Sequence, residues 1–174
     1  MGSGRRQIRE TTNAWYTGCV QQPAEPTDEV TKLRVALRAG FAAAPEIAAV
    51  YVFGSVARND AGPESDLDLG LVFRNRREDA VQHHRLIAEL AYQIARHTER
   101  PHVDLVVLES QGPIFCLRVL CEGRLIYESD RERRIDFESE TMVRAFDFRP
   151  TWELATRGKA EALRRWVRQR YDLR

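Results

Sequence analysis

Two aspartates placed two residues apart are the clearest chemical feature of this sequence. Asp66 and Asp68 lie in an apolar run that predicts a β-strand. Because side chains alternate between the two faces of a strand, both carboxylates point to one face and the leucines between and after them point to the other. Neighbouring carboxylates repel each other and are costly to desolvate, and a bound cation removes that cost. Oxygen ligands of this kind suit Mg²⁺, which also binds substrate phosphates.

A glycine turn upstream of the aspartates is suited to phosphate binding. Gly54 and Ser55 follow the apolar run 50–53. Glycine lets the chain turn sharply and lets backbone N–H groups approach a ligand, while Ser55 adds a hydroxyl donor. Arg58 offers a cationic fork, although a surface salt bridge is an alternative role for it. Donors that face a carboxylate-held metal predict a phosphoryl-transfer site.

A third carboxylate, Asp104, lies in the apolar run 103–108. A lone carboxylate among aliphatic residues needs a reason, because burying it without a partner is costly. Asp104 either belongs to the same site as the aspartate pair or is a strand-end carboxylate paired with an arginine or with His102.

The surrounding pattern predicts an α+β domain with a small mixed sheet and helices packed on it. Strands are predicted at about 49–53, 66–73, 103–108 and 125–127, and helices at about 27–41, 78–98, 113–122, 130–146 and 151–171. Pro150 is expected to separate the last two helices. We predict a loose N-terminal arm over 1–26 and a single domain over 27–174, whose C-terminal helices span about 130–172.

Composition limits the classes of function. The chain has 174 residues, 43% of them hydrophobic, and a formal net charge of +1, which gives no electrostatic case for direct nucleic-acid binding. No apolar run approaches the ~20 residues of a membrane span, and the N-terminus lacks the apolar centre of a signal peptide. Three cysteines without metal-ligand spacing predict reduced thiols in a cytoplasmic protein.

Two segments together resemble a known signature. The segments 54–58 (GSVAR) and 65–69 (SDLDL) resemble the GSxAR…SDxDL pattern of the polymerase-β-like nucleotidyltransferases, and most of all their minimal nucleotidyltransferase (MNT) group. Asn59 departs from that pattern, since many members have glycine there. The resemblance implies the polymerase-β-like fold and assigns two sets of residues. Nucleotide binding falls to Gly54, Ser55, Arg58 and Ser65, and catalysis and the binding of two Mg²⁺ ions fall to Asp66, Asp68 and Asp104.

The resemblance also implies a biological role. The small size, the strand at 103–108 and the segment 125–130 are similar to MNT-type antitoxins, which transfer AMP from ATP to a tyrosine of a HEPN ribonuclease toxin and so neutralise it. Asp104 would then also take the proton from the acceptor, and 151–174 would be a candidate for toxin contact. Two alternatives remain open. One is a small-molecule nucleotidyltransferase acting on a compound such as an aminoglycoside, although such enzymes usually carry an extra substrate domain. The other is an antitoxin that binds its toxin without catalysis.

Overall fold

The computed structural model describes residues 28–62, 65–75, 80–98, 100, 102–156 and 158–171, so the arm predicted at 1–26 lies outside the described residues. The elements follow in the order α1 (Asp28–Ala42), β1 (Ile47–Phe53), α2 (Gly54–Arg58), β2 (Leu67–Phe73), α3 (Ala80–Thr98), β3 (Val103–Val107), a 3₁₀ turn (Leu108–Ser110), α4 (Pro113–Glu122), β4 (Arg124–Glu128), α5 (Arg131–Thr156) and α6 (Lys159–Tyr171).

The four strands form one mixed sheet in the order β3-β2-β1-β4. β1 pairs antiparallel with both β2 and β4, whereas β2 and β3 are parallel. Parallel neighbours need a crossover connection, and α3 supplies it. The predicted α+β fold with a small mixed sheet is therefore confirmed.

Hydrophobic clusters cover both faces of the sheet. On one face, alternate residues of β2 pack with α1 and α3; the buried residues include Leu67, Leu69, Leu71, Phe73, Leu37, Phe41, Leu90 and Ile94. On the other face, Val72 and Tyr51 pack with α4, α5 and the 3₁₀ turn through Cys116, Val119, Phe137 and Leu108. Asp68 has the same strand parity as Val72, so it lies on the face that carries α4 and α5.

The amphipathic pattern of α1 gives the buried stripe expected from the sequence. Val30, Leu33, Leu37 and Phe41 are all buried, at a spacing of three or four residues. Burial of this stripe on one face of the sheet holds β1 and β2 in place. Gly54 follows the end of β1, and Asp66 and Asp68 lie at the start of β2.

Pro150 does not end a helix, which corrects the sequence prediction. α5 runs through this proline to Thr156. Arg149 donates from Nε to Glu153 Oε1 at 2.7 Å, so an i,i+4 ion pair spans the position of the missing backbone donor. The separation from α6 comes later, at Gly158, whose φ of +81° is the left-handed conformation that glycine adopts readily.

The two cysteines within the described residues differ in their state. Cys116 is buried and free, and its Sγ donates to the carbonyl of Leu108 at 3.1 Å. Cys121 is disulfide-bonded, so the reduced state predicted for all three cysteines is wrong for this one.

Within the described part of the chain, no helix has the length and apolar character needed to cross a membrane.

Candidate active site

Sheet register brings two of the predicted aspartates together. In the parallel pair of β2 and β3, Asp68 is the direct partner of Asp104, so their backbones lie about 4.8 Å apart and their side chains share a face. Asp66 lies just before β2, whose first residue Leu67 pairs with Val103. This register could not be predicted from the sequence, because it depends on where the connection through α3 places β3 along β2.

The carboxylates influence one another electrostatically. The pKa of Asp68 is raised above its ordinary value, chiefly by partial burial and then by the negative charges of Asp104 and Asp66, while the charge of Arg58 opposes the shift. Asp68 is half-buried, whereas Asp66 and Asp104 are exposed. A half-buried carboxylate between two others is a position where a cation would lower the electrostatic free energy.

Gly54 packs directly against the carboxylate of Asp68. A Cβ built on Gly54 would lie 1.9 Å from Oδ2 of Asp68, and the φ of Gly54 is +70°. Phe53, the residue before the glycine, is the antiparallel partner of Asp68 in the β1–β2 ladder. Only a residue without a side chain allows the backbone to turn this close to the carboxylate.

Asn59 closes the short helix α2 in a left-handed conformation, with φ 62° and ψ 29°. Its N–H donates back to the carbonyls of Ser55 and Val56. This conformation favours glycine, and asparagine is among the residues that tolerate it. The departure from the GSxAR pattern therefore leaves a tight turn at this position.

The donor set is compatible with Mg²⁺, although the described residues contain no converged group of three or more His, Cys, Asp or Glu side chains that could hold an ion. Mg²⁺ does not require a dedicated protein cage, since one or two carboxylates with waters and substrate phosphates complete its shell. The raised pKa of Asp68 is the observation that fits a cation here. Asp66, Asp68 and Asp104 would hold it.

The remaining predicted residues differ in what they contact. Arg58 forms half-exposed ion pairs with Asp60 at 3.5 Å and Glu122 at 3.8 Å, yet its charge also reaches Asp68. The Oγ of Ser65 accepts the N–H of Gly62 at 2.9 Å, so this hydroxyl stabilises the loop before β2. The nucleotide-binding roles assigned to Arg58 and Ser65 stay predictions, as does that of Ser55.

A pocket of about 180 Å³ adjoins Gly54 on the side of α2 and α4. Its walls are Phe53, Gly54, Arg58, Phe115, Arg118, Val119 and Glu122. Phe53 and Phe115 meet edge to face, with ring centroids 5.7 Å apart. The sequence did not predict that α4 residues line this pocket, because nothing in their spacing connects them to Gly54. A local indication is that Arg118 and Glu122 are the charged residues of an otherwise apolar helix and lie four positions apart.

Removing the charge of Asp68 is expected to stabilise the metal-free protein at neutral pH. A carboxyl whose pKa is higher in the folded state contributes stability at acidic pH, and this contribution is lost as the pH rises through the folded pKa. Asp68→Asn should therefore raise Tm at pH 7 in EDTA. We expect a rise of at most about 2 °C, because solvent screens the charge of this half-buried side chain. The gain should vanish near pH 3, and an equal gain at both pH values in thermal unfolding would contradict this explanation.

Comparisons with known proteins give the same architecture. The family described as "Polymerase beta, Nucleotidyltransferase" matches residues 37–132, slightly more than half of the chain. These residues include Gly54, the aspartate pair and Asp104. A comparison with curated protein sequences finds no significant match.

Solved structures share the fold at low sequence identity. A structure described as a toxin–antitoxin with AMP-PNP has a TM-score of 0.53 and 20% identity, over 77% of this chain and 97% of that chain. A mutant of the toxin–antitoxin pair MntA–HpeT has a TM-score of 0.52 and 19% sequence identity, over 77% of this chain and 97% of that chain. A crystal structure from Shewanella oneidensis has a TM-score of 0.51 and 16% sequence identity, over 76% of this chain and 96% of that chain. At these identities the likeness shows a common fold.

Proposed function

The chain belongs to the polymerase beta nucleotidyltransferase family, and from that premise we propose that it is an MNT-type antitoxin that moves AMP from ATP to a tyrosine of a HEPN toxin. Asp66, Asp68 and Asp104 would hold the two Mg²⁺ ions on which the transfer would depend. Modification of the tyrosine neutralises the toxin.

One observation carries the proposal: the half-buried Asp68 is flanked by Asp66 and Asp104 and lies against the backbone of Gly54. The carboxylates supply the oxygen ligands of a metal site. The glycine turn allows a phosphate to approach the same point without a side chain in the way. A metal and a phosphate at one position are the requirements for an in-line displacement at phosphorus.

The reaction balances as a nucleotidyl transfer. The acceptor hydroxyl oxygen bonds to the α-phosphorus of ATP, and the bond from that phosphorus to the bridging oxygen of the β-phosphate breaks, so pyrophosphate leaves. Asp104, exposed beside Asp68, receives the proton of the acceptor hydroxyl. The metal ions would neutralise charge on the transferring phosphate and on the leaving oxygen.

A protein acceptor is supported by two kinds of observation. The similar structures are described as toxin–antitoxin proteins, one of them with the ATP analogue AMP-PNP. In addition, the segment proposed for toxin contact, 151–174, exposes large apolar side chains; these are Trp152, Leu154, Leu163 and Trp166. Exposed apolar residues grouped on two consecutive helices are typical of an interaction surface. The cytoplasmic location predicted from the sequence accords with this role and stays a prediction.

Binding of ATP is expected to require a divalent cation. Without a cation, the carboxylates of Asp66, Asp68 and Asp104 repel the triphosphate, and a bound Mg²⁺ would neutralise this repulsion. Calorimetry should show at least about tenfold weaker binding of ATP in EDTA than in Mg²⁺, the equivalent of ~1.4 kcal/mol. Equal affinity under both conditions would rule out the metal site.

Transfer is tested by incubating the protein with ATP, Mg²⁺ and the product of the adjacent gene, then measuring the intact mass of that product. A gain of one or more AMP units supports the proposal. A silenced toxin of unchanged mass contradicts it in favour of inhibition by binding alone, and a mass gain on an aminoglycoside instead would identify a small-molecule enzyme.

A further inference from the structure

The position of Asp66 depends on the residues before and after it. Asp66 itself is exposed and precedes β2. After it, the N–H of Leu67 donates to the carbonyl of His102 at 3.0 Å. Before it, the carbonyl of Ser65 accepts a hydrogen bond of 2.7 Å from Nη1 of Arg100. The peptide groups on both sides of Asp66 are therefore held by the segment between α3 and β3.

The guanidinium of Arg100 joins two separate parts of the chain. While Nη1 donates to the Ser65 carbonyl, Nη2 donates to Oε1 of Glu29, which lies in the first turn of α1. The side chain of Arg100 is only 13% exposed. The planar fork of an arginine holds two acceptors in fixed directions. Because Glu29 fixes the guanidinium, the guanidinium can fix the Ser65 carbonyl.

We propose that Arg100 is a positioning residue that sets the cation affinity of the active site by fixing the backbone at Asp66. Glu29 acts one step further away, by orienting Arg100. This inference rests on the proposed function and adds to it two residues that lie outside the GSxAR…SDxDL segments. Neither residue is among those assigned to the metal or to the nucleotide.

Asp66 is the carboxylate for which such support matters most. Asp68 and Asp104 are paired in the ladder of β2 and β3, so the sheet itself holds their backbones. Asp66 precedes that ladder. Mg²⁺ demands nearly ideal octahedral geometry, so a small displacement of one ligand weakens its binding. Groups that orient a metal ligand typically contribute about 10- to 100-fold to metal affinity.

The charge of Arg100 offers a competing explanation, and the signs of two substitutions separate the two. If charge alone mattered, removing the cationic Arg100 would favour a bound metal ion and removing the anionic Glu29 would disfavour it. Positioning predicts that both substitutions weaken metal binding, because each breaks the chain of contacts that ends at Ser65.

The experiment measures ATP binding by calorimetry in Mg²⁺ and in EDTA, and the readout is the factor by which Mg²⁺ tightens binding. Arg100→Ala should lower this factor about tenfold. Glu29→Gln should lower it about threefold, because Arg100 keeps its bond to Ser65 and loses only the partner that orients it. Arg100→Lys should lie between the wild type and alanine, since one nitrogen cannot hold both acceptors in the same directions.

Arg34→Ala is the matched control for charge. Arg34 also lies on α1 and donates from Nη2 to a backbone carbonyl, that of Leu125 in β4, at 2.8 Å. β4 is at the opposite edge of the sheet from β3, so the control loses an equivalent bond far from Asp66. Its Mg²⁺ factor should equal that of the wild type.

Two further measurements separate positioning from a loss of stability. Leu37→Ala removes buried groups two turns beyond Glu29 on α1, so it should lower Tm and leave the Mg²⁺ factor unchanged. Hydrogen exchange in the metal-free protein should show the amide of Leu67 exchanging faster in Arg100→Ala than in Arg34→Ala, because the peptide group before Asp66 is no longer held.

Three results would overturn the inference. A wild-type Mg²⁺ factor in both Arg100→Ala and Glu29→Gln would leave the proposed function intact and remove these residues from it. Equal weakening of ATP binding in Mg²⁺ and in EDTA would make Arg100 a residue of general structural importance only. If Mg²⁺ did not tighten ATP binding by the wild type, the proposed function and this inference would fail together.

Discussion

Replacing Asp66 and Asp68 together by alanine is expected to lower AMP transfer at least about 10³-fold. Bound metal ions stabilise the transition state of an in-line displacement by several kcal/mol, and each ~1.4 kcal/mol corresponds to a factor of ten in rate. Neither alanine can hold an ion, and Asp104 alone leaves a single carboxylate. The measurement is the intact mass of the toxin after incubation with ATP and Mg²⁺.

The double variant should remain folded. Asp66 is exposed, Asp68 is half-buried, and their removal also relieves repulsion that raises the pKa of Asp68. A control with Asp28→Ala and Glu89→Ala removes two exposed carboxylates from α1 and α3, on the opposite face of the sheet, and should transfer AMP normally. If the aspartate variant modified the toxin at the wild-type rate, the metal site would lie elsewhere.

Replacing Gly54 by alanine is the second change with a large expected effect. The new Cβ would lie 1.9 Å from Oδ2 of Asp68, so the carboxylate of Asp68 must move away from its present position. The left-handed φ of +70° adds a conformational cost of roughly 1–2 kcal/mol. We expect AMP transfer to fall about 10²-fold, since displacement of a catalytic group by about 1 Å has effects of this size.

Gly158→Ala separates the two causes. Gly158 also has a positive φ, +81°, but a Cβ there meets nothing within 4 Å. Both variants should lose stability in thermal unfolding, whereas only Gly54→Ala should lose transfer activity. Equal activity of the two variants would mean that the contact between Gly54 and Asp68 has no part in catalysis.

The sequence predicted the elements of the fold well where burial follows a simple period. The stripe of α1 and the alternating leucines of β2 are buried as expected, because a helix has a period of 3.6 residues and a strand a period of two. It was less accurate where two local effects compete. Pro150 disfavours a helix interior, yet the ion pair between Arg149 and Glu153 accompanies a continuous helix there, and the break falls at Gly158.

The candidate site divides in the same way. The types and spacing of Gly54, Asp66 and Asp68 indicated phosphoryl-transfer chemistry without a structure, because two carboxylates on one strand and a preceding glycine turn are local features. Their assignment to metal and nucleotide binding stays a proposal that the variants above will test.

The tertiary structure decided what lies beside these residues. Parallel pairing of β2 with β3 placed Asp104 directly opposite Asp68, and packing of α4 on the sheet placed Arg118 and Glu122 beside Gly54. Arg118 and Glu122 follow Gly54 by more than sixty residues, so local periodicity cannot relate them to it. Such contacts depend on strand register and helix packing, which arise only when the whole hydrophobic core is buried at once.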